Sequence, residues 1–283
     1  IRDVYKRQEF LYMNRMNLPT EEEQYTAYKT VLESSEDKPV IIRTLDIGGD
    51  KELAYLNLPK EANPFLGERS IRFLLKNEDI FRTQLRALVR ASVHGDLKVM
   101  FPMITTLDEF NRAKALLIEE KERFEKETDE TLKSISTGIM VETPSAAMIS
   151  DQLAKHVDFF SIGSNDLIQY TMAADRLNHQ VSDLYQTYHP SVLGLIKKVI
   201  DSGQKYDKWV GLCGEMASDY KSIALLIGFG IDELSVPSKK ILSIREYISG
   251  VKKTDMEHLA ERVLNVDSGE DVLYLIEEYT NLT

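Results

Sequence analysis

A single cysteine, Cys213, leaves no internal disulfide to form, and a reducing compartment is the natural setting for such a chain. No apolar run approaches the ~20 residues needed to cross a bilayer, so membrane insertion is not expected. The first eight residues are charged and lack the apolar centre of a secretory signal. Basic residues are in the minority: 35 Lys and Arg stand against 46 Asp and Glu, a net charge of −11. That balance argues against nucleic acid and anionic membrane surfaces as partners. The five histidines show no metal-binding spacing and share no helical face. A cytoplasmic enzyme fits these absences, and a cytoplasmic binding module fits them equally.

What the sequence does contain is a 43% apolar composition over 283 residues, close to the ~250 residues of one eight-stranded barrel. Short β-rich apolar runs alternate with longer segments of helical spacing, as in a parallel sheet with crossover helices. Six runs are predicted strands: residues 39–45, 98–104, 138–142, 157–162, 209–213 and 233–236, with a possible seventh at 9–13. Most are continuously apolar, as strands buried on both faces should be. Thr20 with Glu23, Thr106 with Glu109, and Ser268 with Asp271 are candidate capping boxes, and Thr143-Pro144 predicts a helix beginning just after Glu142. Leu107, Phe110, Ala113 and Leu117 fall on one helical face, while 119–133 reads as a solvated helix end and loop.

The expected fold is α/β, a TIM-type (β/α)8 barrel truncated at its N-terminal strand. Residues 1–8 read as a non-matching or truncated leader, and 9–283 as the barrel domain with C-terminal helices.

In such barrels the active site is built at the carboxyl ends of the strands, so a polar residue closing an apolar run is the signal of interest. Arg43 closes Val40-Ile41-Ile42, Glu142 closes Ile139-Met140-Val141, Asn165 and Asp166 follow Phe159-Phe160-Ser161-Ile162, and Cys213 closes Trp209-Val210-Gly211-Leu212. The architecture is expected to gather them on one rim. Glu142 and Asp166 offer hard oxygen ligands suited to Mg²⁺; the plainer reading of either is a loop cap or a surface ion pair. Arg7, Arg43, Arg69 and Arg176 carry guanidinium forks that match phosphate and carboxylate oxygens. Of these, Arg43 must find an anion because it ends a buried strand, whereas Arg69 and Arg176 in isolation read as surface residues. Cys213, flanked by Gly211 and Gly214, reads either as buried filler or as a strand-end proton donor, and its position favours the donor. The Gly48-Gly49-Asp50-Lys51 turn reads as a plain loop or as a close approach of backbone to ligand.

The segment Ile42-Arg43-Thr44-Leu45-Asp46-Ile47-Gly48-Gly49-Asp50-Lys51 resembles the corresponding stretch of enzyme I of the bacterial sugar phosphotransferase system, a phosphoenolpyruvate-protein phosphotransferase. The resemblance continues through Asn63-Pro64-Phe65-Leu66-Gly67-Glu68-Arg69, Met100-Phe101-Pro102-Met103 and Val141-Glu142-Thr143-Pro144. It then runs through Ser161-Ile162-Gly163-Ser164-Asn165-Asp166-Leu167, Ala174-Asp175-Arg176 and Gly211-Leu212-Cys213-Gly214-Glu215. It implies a phosphoenolpyruvate-binding barrel in which Arg7, Arg43, Arg69 and Arg176 hold phosphate and carboxylate, with Asn165 contributing to the phosphate contacts. Glu142 and Asp166 would bind Mg²⁺, and Cys213 would protonate the enol carbon as pyruvate forms.

The same resemblance implies a homodimer. It also implies transfer of the phosphoryl group to a histidine on a separate N-terminal domain, and from there to the histidine-containing phosphocarrier protein. None of the five histidines here lies in such an acceptor motif, so the chain alone is expected to bind ligand without turning it over. Where enzyme I has an apolar strand leading into Arg-Thr-Glu-Phe, this sequence has Asp3-Val4-Tyr5-Lys6-Arg7-Gln8-Glu9-Phe10. Pyruvate phosphate dikinase and phosphoenolpyruvate synthase carry barrels with the same constellation, and a noncatalytic dimerisation fragment is the alternative of a different class.

Overall fold

The computed structural model describes residues 4–6, 9–12, 15–36, 38–48, 56 and 60–280. Two compact units divide the chain, Ile1–Ile139 and Met140–Thr283.

In the first unit, parallel strands β1 (Val4–Lys6), β2 (Val40–Arg43), β3 (Leu97–Phe101) and the start of β4 (Ser136–Val141) pair in chain order. Every residue of β2 is buried, which explains its unbroken Val-Ile-Ile run. Burial of such side chains contributes roughly 1.5–3 kcal/mol each. Helices Glu21–Glu33, Glu78–Ala91 and Leu107–Thr128 follow the strands. The first and last open with the predicted capping boxes: the Thr20 and Thr106 side chains accept the Glu23 and Glu109 N–H groups, and each glutamate reaches back to the N-cap backbone. Phe101 packs edge-on between Phe81 and Phe110, at 6.2 and 6.1 Å. Glu120, expected on a solvated face, is instead buried, because Arg82 reaches it from the neighbouring helix at 2.9 Å.

In the second unit, β5 (Phe159–Gly163), β6 (Trp209–Cys213) and β7 (Glu233–Leu234) pair in parallel, also in chain order. Phe159 and Trp209 stack at 4.8 Å across the first of these pairs. Helices Ser164–Met172, Pro190–Lys205 and Tyr220–Phe229 follow the strands, and Ile241–Gly250, Lys253–Val263 and Gly269–Thr280 close the chain. Thr143 caps the helix opened by Pro144, as the sequence predicts.

The fold class is α/β, with the repeated parallel strand and helix of a TIM-type barrel. All six predicted runs contain strands. The possible strand at 9–13 does not form: Glu9–Tyr12 is a short helix, and the additional strand lies at Val4–Lys6. Those three residues gain a ladder partner in β2, and tertiary pairing overrides a local pattern too short to show alternation. Among the described residues no helix is long and apolar enough to cross a membrane.

Candidate functional site

In the first unit the site residues gather where β2 ends. Arg43 is its last residue, and the chain then turns through Thr44, Leu45, Asp46 and Ile47, all buried. The Asp46 carboxylate lies 3.4 Å from the Arg43 guanidinium and 3.3 Å from Nε of Arg69. Arg69 also donates from its second terminal nitrogen to Asp46 at 3.4 Å. Exposures of 4%, 0% and 1% for Arg43, Asp46 and Arg69 place the trio out of bulk water, where a guanidinium requires an anionic partner. The expectation that Arg69 lies on the surface is thus overturned. Its side chain runs inward to Asp46, and its guanidinium also lies 5.7 Å from the Phe65 ring.

Backbone geometry fixes this arrangement. Gly48 has φ +100°, and a Cβ there would stand 3.1 Å from both Arg69 Cα and the Glu68 carbonyl oxygen, so only glycine lets the two segments meet. Ser70, just after Arg69, holds φ 56° and donates its N–H to the Ile47 carbonyl at 2.8 Å. This sparsely populated conformation at a non-glycine residue is held by its surroundings. Gly49, Asp50 and Lys51, and also Arg7, lie outside the described residues.

In the second unit Glu142 directly follows β4 and is fully buried. A side chain at Gly163 would stand 2.9 Å from its Oε2, so the glycine closing β5 lets the Glu142 side chain pack directly against that strand end. Gly163 is the ladder partner of Cys213, the last residue of β6 and 5% exposed. Asn165 and Asp166, both half-buried, sit in the first turn of the Ser164–Met172 helix, which starts from β5 without a loop. Ser164 Oγ donates to the Cys213 carbonyl at 2.8 Å, and Asn165 Oδ1 accepts the Glu215 N–H at 3.0 Å. These two bonds tie the end of β5 to the end of β6.

Arg176 is half-buried, and its N–H donates to the side-chain oxygen of the buried Gln169 at 3.1 Å. Tyr185 donates its hydroxyl to the Asn165 carbonyl at 3.1 Å. Burial, reinforced by the Glu215 carboxylate and by Asp166 and opposed by Arg176, pushes the Tyr185 hydroxyl up to about 12. Within the second unit Glu142 and Cys213 both adjoin Gly163, Asn165 and Asp166 sit in the first turn of the following helix, and Arg176 lies just beyond that helix's C-terminal end, held to Gln169. Sequence reasoning missed Gln169, Tyr185 and Asp46. Asp46 had a visible signal, being an acid within an apolar stretch three residues after a strand-end arginine.

The Glu142 and Asp166 carboxylates and the Asn165 amide are hard oxygen donors of the kind a divalent cation takes, with ligand oxygens and water to complete its shell. Among the described residues no group of three or more His, Cys, Asp or Glu side chains is placed so as to hold a metal ion by itself.

The model of the PEP-binding domain of PEP-utilising enzymes matches residues 5–253. The chain belongs to this family. Curated relatives agree: the phosphoenolpyruvate-protein phosphotransferase of Priestia megaterium is 58% identical over 95% of this chain and 47% of its own. The proteins of the same name from Listeria monocytogenes and Bacillus subtilis are 56% and 57% identical over 97% and 96% of this chain and 48% of theirs. The chain therefore spans about half the length of the curated relatives it matches. A crystal structure of a citrate lyase from Burkholderia xenovorans LB400 covers 99% of this chain and 90% of its own at TM-score 0.50 and 15% identity, a likeness of fold alone. The family match includes every candidate site residue of both units and ends within the C-terminal helices.

Proposed function

We propose that this chain is the phosphoenolpyruvate-binding part of a phosphoenolpyruvate-protein phosphotransferase. Its role would be Mg²⁺-dependent transfer of the phosphoryl group to a histidine on a separate N-terminal domain, and then to the histidine-containing phosphocarrier protein, in the first step of bacterial sugar uptake. The observation carrying this reading is the 56–58% identity, sustained over 95–97% of the chain, to proteins of that name.

Arg43 and Arg69, already held to Asp46, offer guanidinium donors to the ligand's phosphate and carboxylate oxygens, with Arg176 and Arg7 as further cations and Asn165 as an amide donor. Glu142 and Asp166 are assigned to the cation. Mg²⁺, when bound, supplies neutralisation of phosphoryl charge. The protein's own contribution is positioning, because phosphoryl transfer asks for aligned donors rather than covalent chemistry. After the P–O bond breaks, the enolate carbon takes the proton of the Cys213 thiol. A C–H bond forms, the S–H electrons remain as thiolate, pyruvate leaves, and solvent returns the proton. A homodimer in the cytoplasm completes the proposal, supported by family resemblance, the lone cysteine and the net charge of −11.

The test is pyruvate release from phosphoenolpyruvate by the chain supplied with the N-terminal domain of a phosphotransferase relative and the phosphocarrier protein. Release that needs both additions and no nucleotide supports the proposal. Release that requires a nucleotide would assign the chain to a dikinase or synthase instead.

A further inference from the structure

Behind the arginine trio runs a chain of buried hydrogen bonds belonging to no ligand-binding group. Gln84, on the Glu78–Ala91 helix, accepts the Leu45 N–H on Oε1 at 3.0 Å and donates from Nε2 to the Tyr28 hydroxyl at 3.2 Å. Tyr28 donates to Gln24 Oε1 at 3.1 Å, Tyr12 donates to the same oxygen at 2.9 Å, and Gln24 Nε2 donates to the Pro19 carbonyl at 3.2 Å. Gln84 and Tyr28 are 0% exposed, and Gln24 and Tyr12 1%. The donor and acceptor senses agree along the whole chain. Flipping the Gln84 amide would set its NH₂ against the Leu45 N–H, donor against donor, so the network admits one orientation.

Its terminus falls at a telling place. The ladder from β2 to β3 makes its last bond where the Thr44 N–H donates to Met100, at 2.9 Å. The next N–H, that of Leu45, has passed the end of the strand and is taken up by Gln84. Leu45 lies between Arg43 and Asp46, and Ile47 is in turn held by Ser70. Every residue from 44 to 47 thus has a fixed anchor, and the only side-chain amide among these anchors is Gln84.

We infer that Gln84 is a positioning residue for anion binding: through Leu45 it fixes the turn that sets the Arg43 and Arg69 guanidiniums on Asp46. This rests on the reading of those arginines as ligand-holding. A bidentate fork tolerates little misplacement, about 0.5 Å for a productive site. Removing a partner from a buried network leaves donors that no water can reach, so the turn relaxes instead of keeping its place.

The experiment titrates phosphoenolpyruvate with Mg²⁺ calorimetrically into the full 283-residue chain and its Gln84→Met, Tyr28→Phe and Leu225→Ala variants, with amide hydrogen exchange of residues 44–47 followed in parallel. Leu225 is a buried residue of the Tyr220–Phe229 helix and serves as a destabilised control. Gln84→Met is expected to speed exchange at Leu45 and weaken Kd by about tenfold or more. Tyr28→Phe, which carries the test if Gln84→Met does not fold, is expected to shift both in the same direction by less. Leu225→Ala is expected to lower stability and leave both readouts unchanged. Unaltered exchange at Leu45, or an affinity no weaker than that of Leu225→Ala, overturns the inference. If the parent chain binds no phosphoenolpyruvate while exchange at Leu45 still rises in Gln84→Met, the ligand reading of the arginines has failed and the anchoring of the turn has not.

Discussion

Gly214 lies so close to Asn165 that a Cβ at position 214 would stand 2.8 Å from the Oδ1 that accepts the Glu215 N–H. Its φ of +100° disfavours any other residue independently of that contact. Gly214→Ala is therefore expected to lose roughly 1–3 kcal/mol of stability from backbone strain and displacement of the amide. Denaturant unfolding measures the loss, and a stability within 0.5 kcal/mol of the parent, about the size of an ordinary surface change, would contradict it.

Asp46 is fully buried between two guanidiniums. Asp46→Asn keeps the shape and removes the charge from both buried ion pairs, a change expected to cost about 3–5 kcal/mol. Inorganic phosphate should recover part of that loss by replacing the carboxylate charge, so thermal unfolding of the variant should rise more with phosphate than that of the parent. Equal shifts would contradict the reading of this trio as an anion site.

Burial raises the Tyr185 hydroxyl from its ordinary value near 10 to about 12. The folded state holds this proton more tightly than the unfolded chain does. The stability so contributed is complete below pH ~10 and is lost as pH rises toward about 12. Tyr185→Phe should flatten that part of the alkaline stability profile, and it should also loosen the first turn of the Ser164–Met172 helix, since the bond to Asn165 goes with the hydroxyl. An unchanged alkaline slope would contradict the assignment.

Cys213→Ala should leave phosphoenolpyruvate affinity within about twofold of the parent, because the thiol acts after phosphoryl transfer. Pyruvate release in the reconstituted reaction should fall by about 10² or more, in the range general acid catalysis contributes. Release at the parental rate would remove Cys213 from the mechanism.

The strand-end residues were legible because a buried parallel strand is a continuous apolar run, and the first polar residue after it stands out: Arg43, Glu142 and Cys213 were each found this way. Capping boxes at Thr20 and Thr106 were legible for a similarly local reason, since both hydrogen bonds join residues three apart. Arg69 was misjudged because its burial depends on Asp46, 23 residues earlier, and on the turn at Gly48 that lets the two segments meet. Gln84 was passed over although it left a trace, a lone amide between Phe81 and Leu88 on an otherwise apolar helical stripe. The strand at Val4–Lys6 was invisible because three residues cannot display a period.

The central claim, that this chain holds phosphoenolpyruvate through a cation on Glu142 and Asp166, is tested most directly by calorimetric titration of the chain with phosphoenolpyruvate, with and without Mg²⁺, beside an Asp166→Ala variant. Saturable binding that requires both Mg²⁺ and Asp166 is the predicted result. Binding that is indifferent to either, or none by a demonstrably folded chain, would contradict it.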